Sequence, residues 1–234
     1  MSGTGVETLK LKGDPEVSVT VRRSGRARRL SLRVSGLDGR VTLTLPSVLP
    51  LREAQSFLAE KEAWLRAALV RAPDREDVDF GSEIILEGRS LIVTPGAERR
   101  IRIKDDQLLV PKDRLPGPQL AAFCRQLALV RLTASAERYA GLLGREVARI
   151  SLRDTRSRWG SCSSTGRLMF SWRLIMAPPH VLDYVAAHEA AHLVHMHHGP
   201  AFWQAVEDVF PSWRHSRDWL RRHGTDLHRY RFGD

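Results

Sequence analysis

Cys124 and Cys162 are the only two cysteines in 234 residues. So few thiols exclude a secreted disulfide framework and a four-thiolate metal site, and suggest reduced, buried side chains instead. Long apolar runs are equally absent. No stretch approaches the roughly 20 residues that span a bilayer, and the start Met1-Ser2-Gly3-Thr4-Gly5-Val6-Glu7 is polar, with no basic-then-apolar leader. A cytoplasmic protein with no membrane partner is therefore expected. Acid is scarce relative to base: 27 Asp and Glu stand against 37 Lys and Arg, for a net charge of +10 and a pI near 10.5. The excess is mostly Arg and is scattered, with clusters at Arg22-Arg23, Arg26 to Arg33, Arg99-Arg100 and Arg221-Arg222. Aromatics are only 7%, and no basic strand interleaved with base-stacking rings is visible. The charge allows a nucleic-acid partner, but no motif supports one. It reads first as an Arg-rich solvated surface. Hydrophobic and charged contents of 42% and 27% are ordinary for a globular chain able to bury a sizeable core in one or two domains.

The N-terminal half is β-rich. Alternation in Val17–Val21, Leu30–Val34 and Val41–Leu45 predicts three strands of an antiparallel meander, with Asp38-Gly39 as a hairpin turn. Phe57, Leu58, Trp64, Leu65 and Leu69 recur at helical spacing over residues 53–72, an amphipathic helix covering that sheet, with Trp64 in its core. A second strand cluster is predicted at Ile84–Leu86, Leu91–Val93 and Ile101–Ile103, with a hairpin. A long helix follows from Gln119 to Leu143, its pattern including Leu120, Phe123, Leu127, Val130, Leu132 and Tyr139. Val147–Leu152 and Leu168–Trp172 read as strands flanking a loop at Ser157 to Gly166, residues 212–222 as a last helix, and Gly224 onward as a polar tail.

Into this framework the chain inserts His188-Glu189-Ala190-Ala191-His192, then His198. Two His four positions apart project from one helix face, close enough for both imidazoles to bind one Zn²⁺. Glu189, beside the first of them, is placed to take the proton of a metal-bound water as general base. The flanking Val181, Leu182, Val185, Leu193 and Val194 make the helix largely apolar, and unpartnered polar groups are costly there. A ligand role removes that cost. For a third ligand, His198 is favoured over His195 and His197, because Gly199-Pro200 provides the turn that brings a residue back to the helix end. Glu207, on the next helix, is the rival. The edge of a strand beside such a helix commonly takes an extended peptide. In the preceding loop, Arg158 could stabilise developing negative charge and Trp159 could line the cleft, with buried packing an equal alternative for Trp159.

Together these segments resemble the YgjP-like metallopeptidase family: Ser157-Arg158-Trp159-Gly160-Ser161-Cys162, Leu174-Ile175-Met176-Ala177-Pro178-Pro179, Asp183-Tyr184-Val185 leading into the His motif, then His198 and Phe202-Trp203. The N-terminal Arg22-Arg23-Ser24, Arg28–Arg33 and Trp64 extend the likeness over most of the chain. Three positions depart from the family pattern: Ala190 stands where Leu is usual, and His197 and Gly199 flank His198 where Asn and Ser are usual. The resemblance implies an α+β fold, with an N-terminal antiparallel β-rich part at residues 1–115, including the helix at about 53–72, and a minimal zincin-like domain, a small sheet plus active-site helix, at 116–234. It also implies a zinc-dependent hydrolase with His188, His192 and His198 as ligands, Glu189 as base, and a peptide or protein substrate. Two other readings stay open: a metal-dependent nucleoside triphosphate pyrophosphohydrolase using the same site, and a nucleic-acid-associated module with a structural metal.

Overall fold

The computed structural model describes residues 7–35, 39–70 and 76–233, in a chain that forms two compact units, Met1–Asp74 and Arg75–Asp234. In the smaller unit β1 (Glu7–Leu11), β2 (Val17–Ser24), β3 (Ser31–Val34) and β4 (Val41–Pro46) form one sheet in the order β1-β2-β4-β3. Val17, Val19 and Val21 on β2 and Val41, Leu43 and Leu45 on β4 are its buried rows. The sheet is not the simple meander that alternation predicts, for β4 is antiparallel to β3 but parallel to β2. The two rows that bury completely share the centre, and β3, whose Leu32 and Val34 are only half-buried, takes an edge. Asp38, expected in the β3–β4 turn, lies outside the described residues.

The single helix expected at 53–72 is two, α1 (Leu51–Glu60) and α2 (Glu62–Val70), meeting at Lys61. Ala72 lies outside the described residues. Ala54, Leu58 and Leu65 close this core, whereas Trp64, read as core, is 51% exposed. The break at Lys61 gives the inward position to its neighbour Leu65.

The larger unit opens with β5 (Glu76–Asp77), then β6 (Glu83–Leu86), β7 (Arg89–Gly96), β8 (Arg102–Lys104) and β9 (Gln107–Pro111). The last four repeat the first sheet's plan, in the order β6-β7-β9-β8 with β7 and β9 parallel. Glu87 and Gly88 join β6 to β7 with φ of 49° and 76°, the doubly positive pair that a tight hairpin requires. Ile84, Leu86, Leu91, Val93, Leu108 and Val110 share one core with the helix that follows. The division between units consequently falls at 74/75, and not at the 115/116 boundary read from the sequence.

That helix, α3 (Pro116–Leu142), buries Leu120, Cys124, Ala128, Leu132, Ala136 and Tyr139 as one stripe and leaves Val130 exposed. It packs along α4 (Pro179–Ala191), where Ser135 and Arg138 donate to the Asp183 carboxylate at 2.5 and 3.4 Å. In the chain between α3 and α4, β10 (Arg149–Arg153), β11 (Gly160–Cys162) and β12 (Arg167–Ser171) form a small sheet in the order β10-β12-β11. A 3₁₀ turn at Trp172–Met176 leads into α4, and α5 (Pro200–Val209) and α6 (Trp213–His223) follow.

The C-terminal segment is not the polar tail expected. Leu227, Tyr230 and Phe232 are buried, and β13 (Tyr230–Arg231) pairs with β5. Arg173, itself 7% exposed, fastens it: the guanidinium donates to both oxygens of Asp154 at 2.7 and 3.0 Å and to the Leu227 and Tyr230 carbonyls, each at 3.1 Å. Among the described residues no helix is long and apolar enough to cross a membrane.

Candidate metal centre

α4 ends at Ala191, and His192 caps it still in helical conformation, so His188 and His192 stand one turn apart on one face. The chain then reverses. Gly199, extended, caps α5 with Pro200 at its first turn, and this bend returns His198 to the end of α4. One ligating nitrogen from each of His188, His192 and His198 lies within 4.8 Å of the others. His188 Nε2 and His198 Nε2 are 3.1 Å apart. Nitrogens bound to one ion at about 2.0–2.1 Å in a tetrahedral set stand about 3.4 Å apart, so the cluster is close to the size of a zinc site. His192 Nδ1 lies 3.0 Å from the His195 carbonyl. Donation there fixes the tautomer and leaves Nε2 with a free lone pair, the arrangement that orients ligating imidazoles.

Phe202, fully buried, supports all three rings, with centroids 4.9, 4.5 and 4.7 Å from those of His188, His192 and His198. Burial pushes the His188 pKa down to about 3, helped by His192, His198 and Arg217, and burial also lowers that of His192. The buried imidazoles are therefore neutral, as ligands must be. Glu207, the rival for third ligand, is outside the cluster: Trp213 Nε1 and Arg214 Nη1, the latter at 2.7 Å, donate to its carboxylate. His195 and His197 are outside it too, His195 contributing its carbonyl and not its ring. With three donors among the described residues, the set leaves a coordination position open.

Glu189 is 5% exposed. Burial pushes its carboxyl up to about 8, with Arg158 pulling the other way. It faces a cavity of about 320 Å³ whose walls include Trp159, Gly160, Tyr184, His188 and α6 residues Arg217 and Arg221. Trp159 is held from behind, its ring 5.3 Å from that of His228 and against Gly224, where a Cβ would come within 3.1 Å of it. It both packs and lines the cavity. Arg158 is exposed and reaches the site through its field on Glu189.

The sequence left one neighbour, Gly160, without a role. Gly160 approaches Glu189 so closely that a Cβ there would lie 2.5 Å from Oε1 and 2.6 Å from Cγ. Its signal was the Gly inside the Trp159-Gly160-Ser161-Cys162 motif. Gly160 also belongs to β11, which the sequence assigns to a loop, and β11 is one of the two edge strands of the small sheet, the one beside α4. Trp159 O accepts from Ser171 N at 2.8 Å, and Ser163 N donates to Arg167 O at 2.9 Å. By the alternation of an antiparallel ladder, Gly160 and Cys162 then turn their N–H and C=O groups outward.

The site thus brings together three imidazoles able to hold one metal ion and a buried carboxyl beside them, the residue types that metal-assisted hydrolysis uses. The family is shown by the model described as "YgjP-like, metallopeptidase domain", which matches residues 28–223, and the chain belongs to it. Among solved structures the chain is similar to the metallopeptidase zymogen of Pyrococcus abyssi abylysin, at 24% identity and a TM-score of 0.36, over 42% of this chain and 97% of that one. No curated protein matches it.

Proposed function

We propose that this metal-dependent peptidase is a zinc enzyme in which His188, His192 and His198 hold the ion and Glu189 is the general base. The observation that carries the reading is the meeting, at one end of α4, of three ligating nitrogens within 4.8 Å and a buried carboxyl on a cavity wall. A zinc ion supplies a lowered pKa for water and polarisation of a carbonyl. The chain's own residues do the rest. An extended peptide lies along the β11 edge, where Gly160 and Cys162 offer main-chain groups. Glu189 accepts the proton of the attacking water as its oxygen bonds to the scissile carbonyl carbon. It returns that proton to the amide nitrogen as the C–N bond breaks. Phe202 and the His195 carbonyl keep the imidazoles in place, and Trp159 shields one side of the cavity. The two free cysteines, Cys124 buried and Cys162 half-buried, suit the cytoplasmic setting expected from the sequence.

The test is a Glu189→Gln variant. It should bind zinc at the wild-type stoichiometry and lose about 10²–10⁴-fold in peptide hydrolysis, the contribution of a positioned base; full turnover by this variant would remove Glu189 from the mechanism. A second reading, hydrolysis of a nucleoside triphosphate at the same site, is favoured by one observation, the presence of Arg217 and Arg221 on the cavity wall. Release of pyrophosphate from nucleotides with no cleavage of peptide libraries selects it over the first.

A further inference from the structure

The cavity beside the imidazole cluster has one wall to which hydrolysis itself gives no task. α6 presents Arg217, Leu220 and Arg221 to it, positions i, i+3 and i+4 on one helix face. Arg217 is held by rings. Its guanidinium carbon lies 5.1 Å from the Trp203 ring and 5.7 Å from that of Trp213, and these two indoles stack at 4.4 Å. No described carboxylate forms an ion pair with Arg217, while its neighbour Arg221 reaches Asp218 only at 3.9 Å, beyond hydrogen-bond length. Arg217 is exposed and lies over rings, so its fork of donors stays free to receive a planar carboxylate on two parallel hydrogen bonds. The surroundings fit a side chain and not a bare ion. Trp159, pinned by His228 and Gly224, and Leu220 give the cavity apolar surface on which methylenes can rest. The one carboxylate on the walls, Glu189, is assigned to the water. His188 and Glu189 line the same 320 Å³ space, so a group bound by Arg217 shares the cavity with the carboxyl beside the imidazole cluster.

Resting on the peptidase reading, we propose that Arg217, with Arg221 adding positive charge, forms the subsite that selects an acidic residue of the substrate, so that peptides are cut next to Asp or Glu. A charge-assisted pair of this kind separates Glu from its neutral isostere Gln by about tenfold or more.

The experiment uses the metal-loaded full chain and pairs of peptides that differ only by Glu or Gln at one position, with cleavage followed by mass spectrometry. The wild type should prefer the Glu member by at least about tenfold in kcat/KM and cut adjacent to it. Arg217→Ala should bring the ratio near one, and Arg217→Lys, which keeps the charge, should retain part of it. Arg222→Ala, on the same helix but outside the cavity wall, should preserve the preference. Equal rates for the two peptides, or an undiminished ratio in Arg217→Ala, overturns the proposal. A binding arm separates this failure from that of the peptidase reading: the same pairs are titrated into the Glu189→Gln variant with tryptophan fluorescence as the signal. If no peptide is cut but the Glu member binds at least about tenfold tighter and loses that advantage with Arg217→Ala, the subsite stands and the peptidase reading falls. If the two members bind equally, the subsite falls. Hydrolysis of nucleoside triphosphates, blocked by Arg217→Ala without any Glu-over-Gln discrimination, assigns the guanidinium to phosphate and also overturns it.

Discussion

Adding a single methyl group at Gly160 tests how Glu189 is positioned. The Cβ of Gly160→Ala would stand 2.5, 2.6 and 2.7 Å from Glu189 Oε1, Cγ and Cδ, where ordinary contact begins at 3.4 Å. The overlap is thus close to about 1 Å and involves three atoms of a side chain that is 5% exposed. Glu189 cannot yield by shifting its helix, because Ala186, Ala187, Ala190 and Ala191 are buried around it. Either the carboxyl rotates away from the cavity or β11 moves outward, and both displace the base from the peptide edge. Overpacking of this kind costs about 1–3 kcal/mol in stability, and misplacing a reacting group by about 1 Å costs about 100-fold in rate, or ~2.7 kcal/mol at the transition state. The imidazoles are untouched, so metal content should stay at the wild-type level. The assay is kcat/KM on a quenched-fluorescence peptide library, with denaturant unfolding in parallel. Gly141→Ala, inside α3 with nothing within 4 Å of its Cβ, is the control, and should leave the rate alone while raising stability by about 0.5–1 kcal/mol. Wild-type rate together with wild-type stability for Gly160→Ala would refute the reasoning, for it would mean that nothing holds the carboxyl against β11.

Other outcomes follow from the same geometry. In the metal-free protein Glu189 has a native pKa of about 8 against an ordinary 4.5, so the native state holds a proton that the unfolded chain releases, and stability falls as pH rises through that window. From pH 6.5 to 8.5 the fall is about 2 kcal/mol, and Glu189→Gln should abolish it in pH-dependent urea melts. On the acid side, His188 with a native pKa of about 3 contributes stability that is complete above its ordinary 6.5 and is lost as pH falls toward 3, a loss that the opposite slope of Glu189 offsets between pH 6.5 and 4.5 in the wild type; a metal-free Glu189→Gln protein, free of that offset, whose melting temperature is flat from pH 6.5 to 4 contradicts this. Arg173→Ala leaves Asp154 and the Leu227 and Tyr230 carbonyls without their donor. It should cost about 3 kcal/mol or more, with faster amide exchange in residues 224–233 as the sign that this segment has come loose.

How much of this was legible in the sequence depended on how local each feature is. The helical repeat alone puts His188 and His192 on one face with Glu189 beside the first of them, and Gly199-Pro200 carries the turn that returns His198 to their cluster. The features that went unread are set by partners distant along the chain. β11 has the composition Gly-Ser-Cys and three residues, with no alternation to announce it; it is a strand only because Leu168, Met169 and Phe170 lie opposite. The same holds for β4, whose parallel pairing with β2 depends on which rows bury best. Tyr230 and Phe232 sit among polar residues in a segment that looks like a tail, and their partners are distant: they join the core of the larger unit, while Arg173, more than 50 positions earlier, bonds the Leu227 and Tyr230 carbonyls. Arg217 and Arg221 were visible only as surface charge, since the packing of α6 against α4 is what turns them toward Glu189.

The most direct test is elemental analysis of the purified protein beside its single-residue variants. About one zinc per chain should accompany the wild type and the Glu207→Ala and Glu189→Gln variants, and should be lost from His188→Ala, His192→Ala and His198→Ala. A wild-type chain that takes up no metal after dialysis against zinc, or a His198→Ala protein that keeps its zinc while Glu207→Ala loses it, contradicts the account.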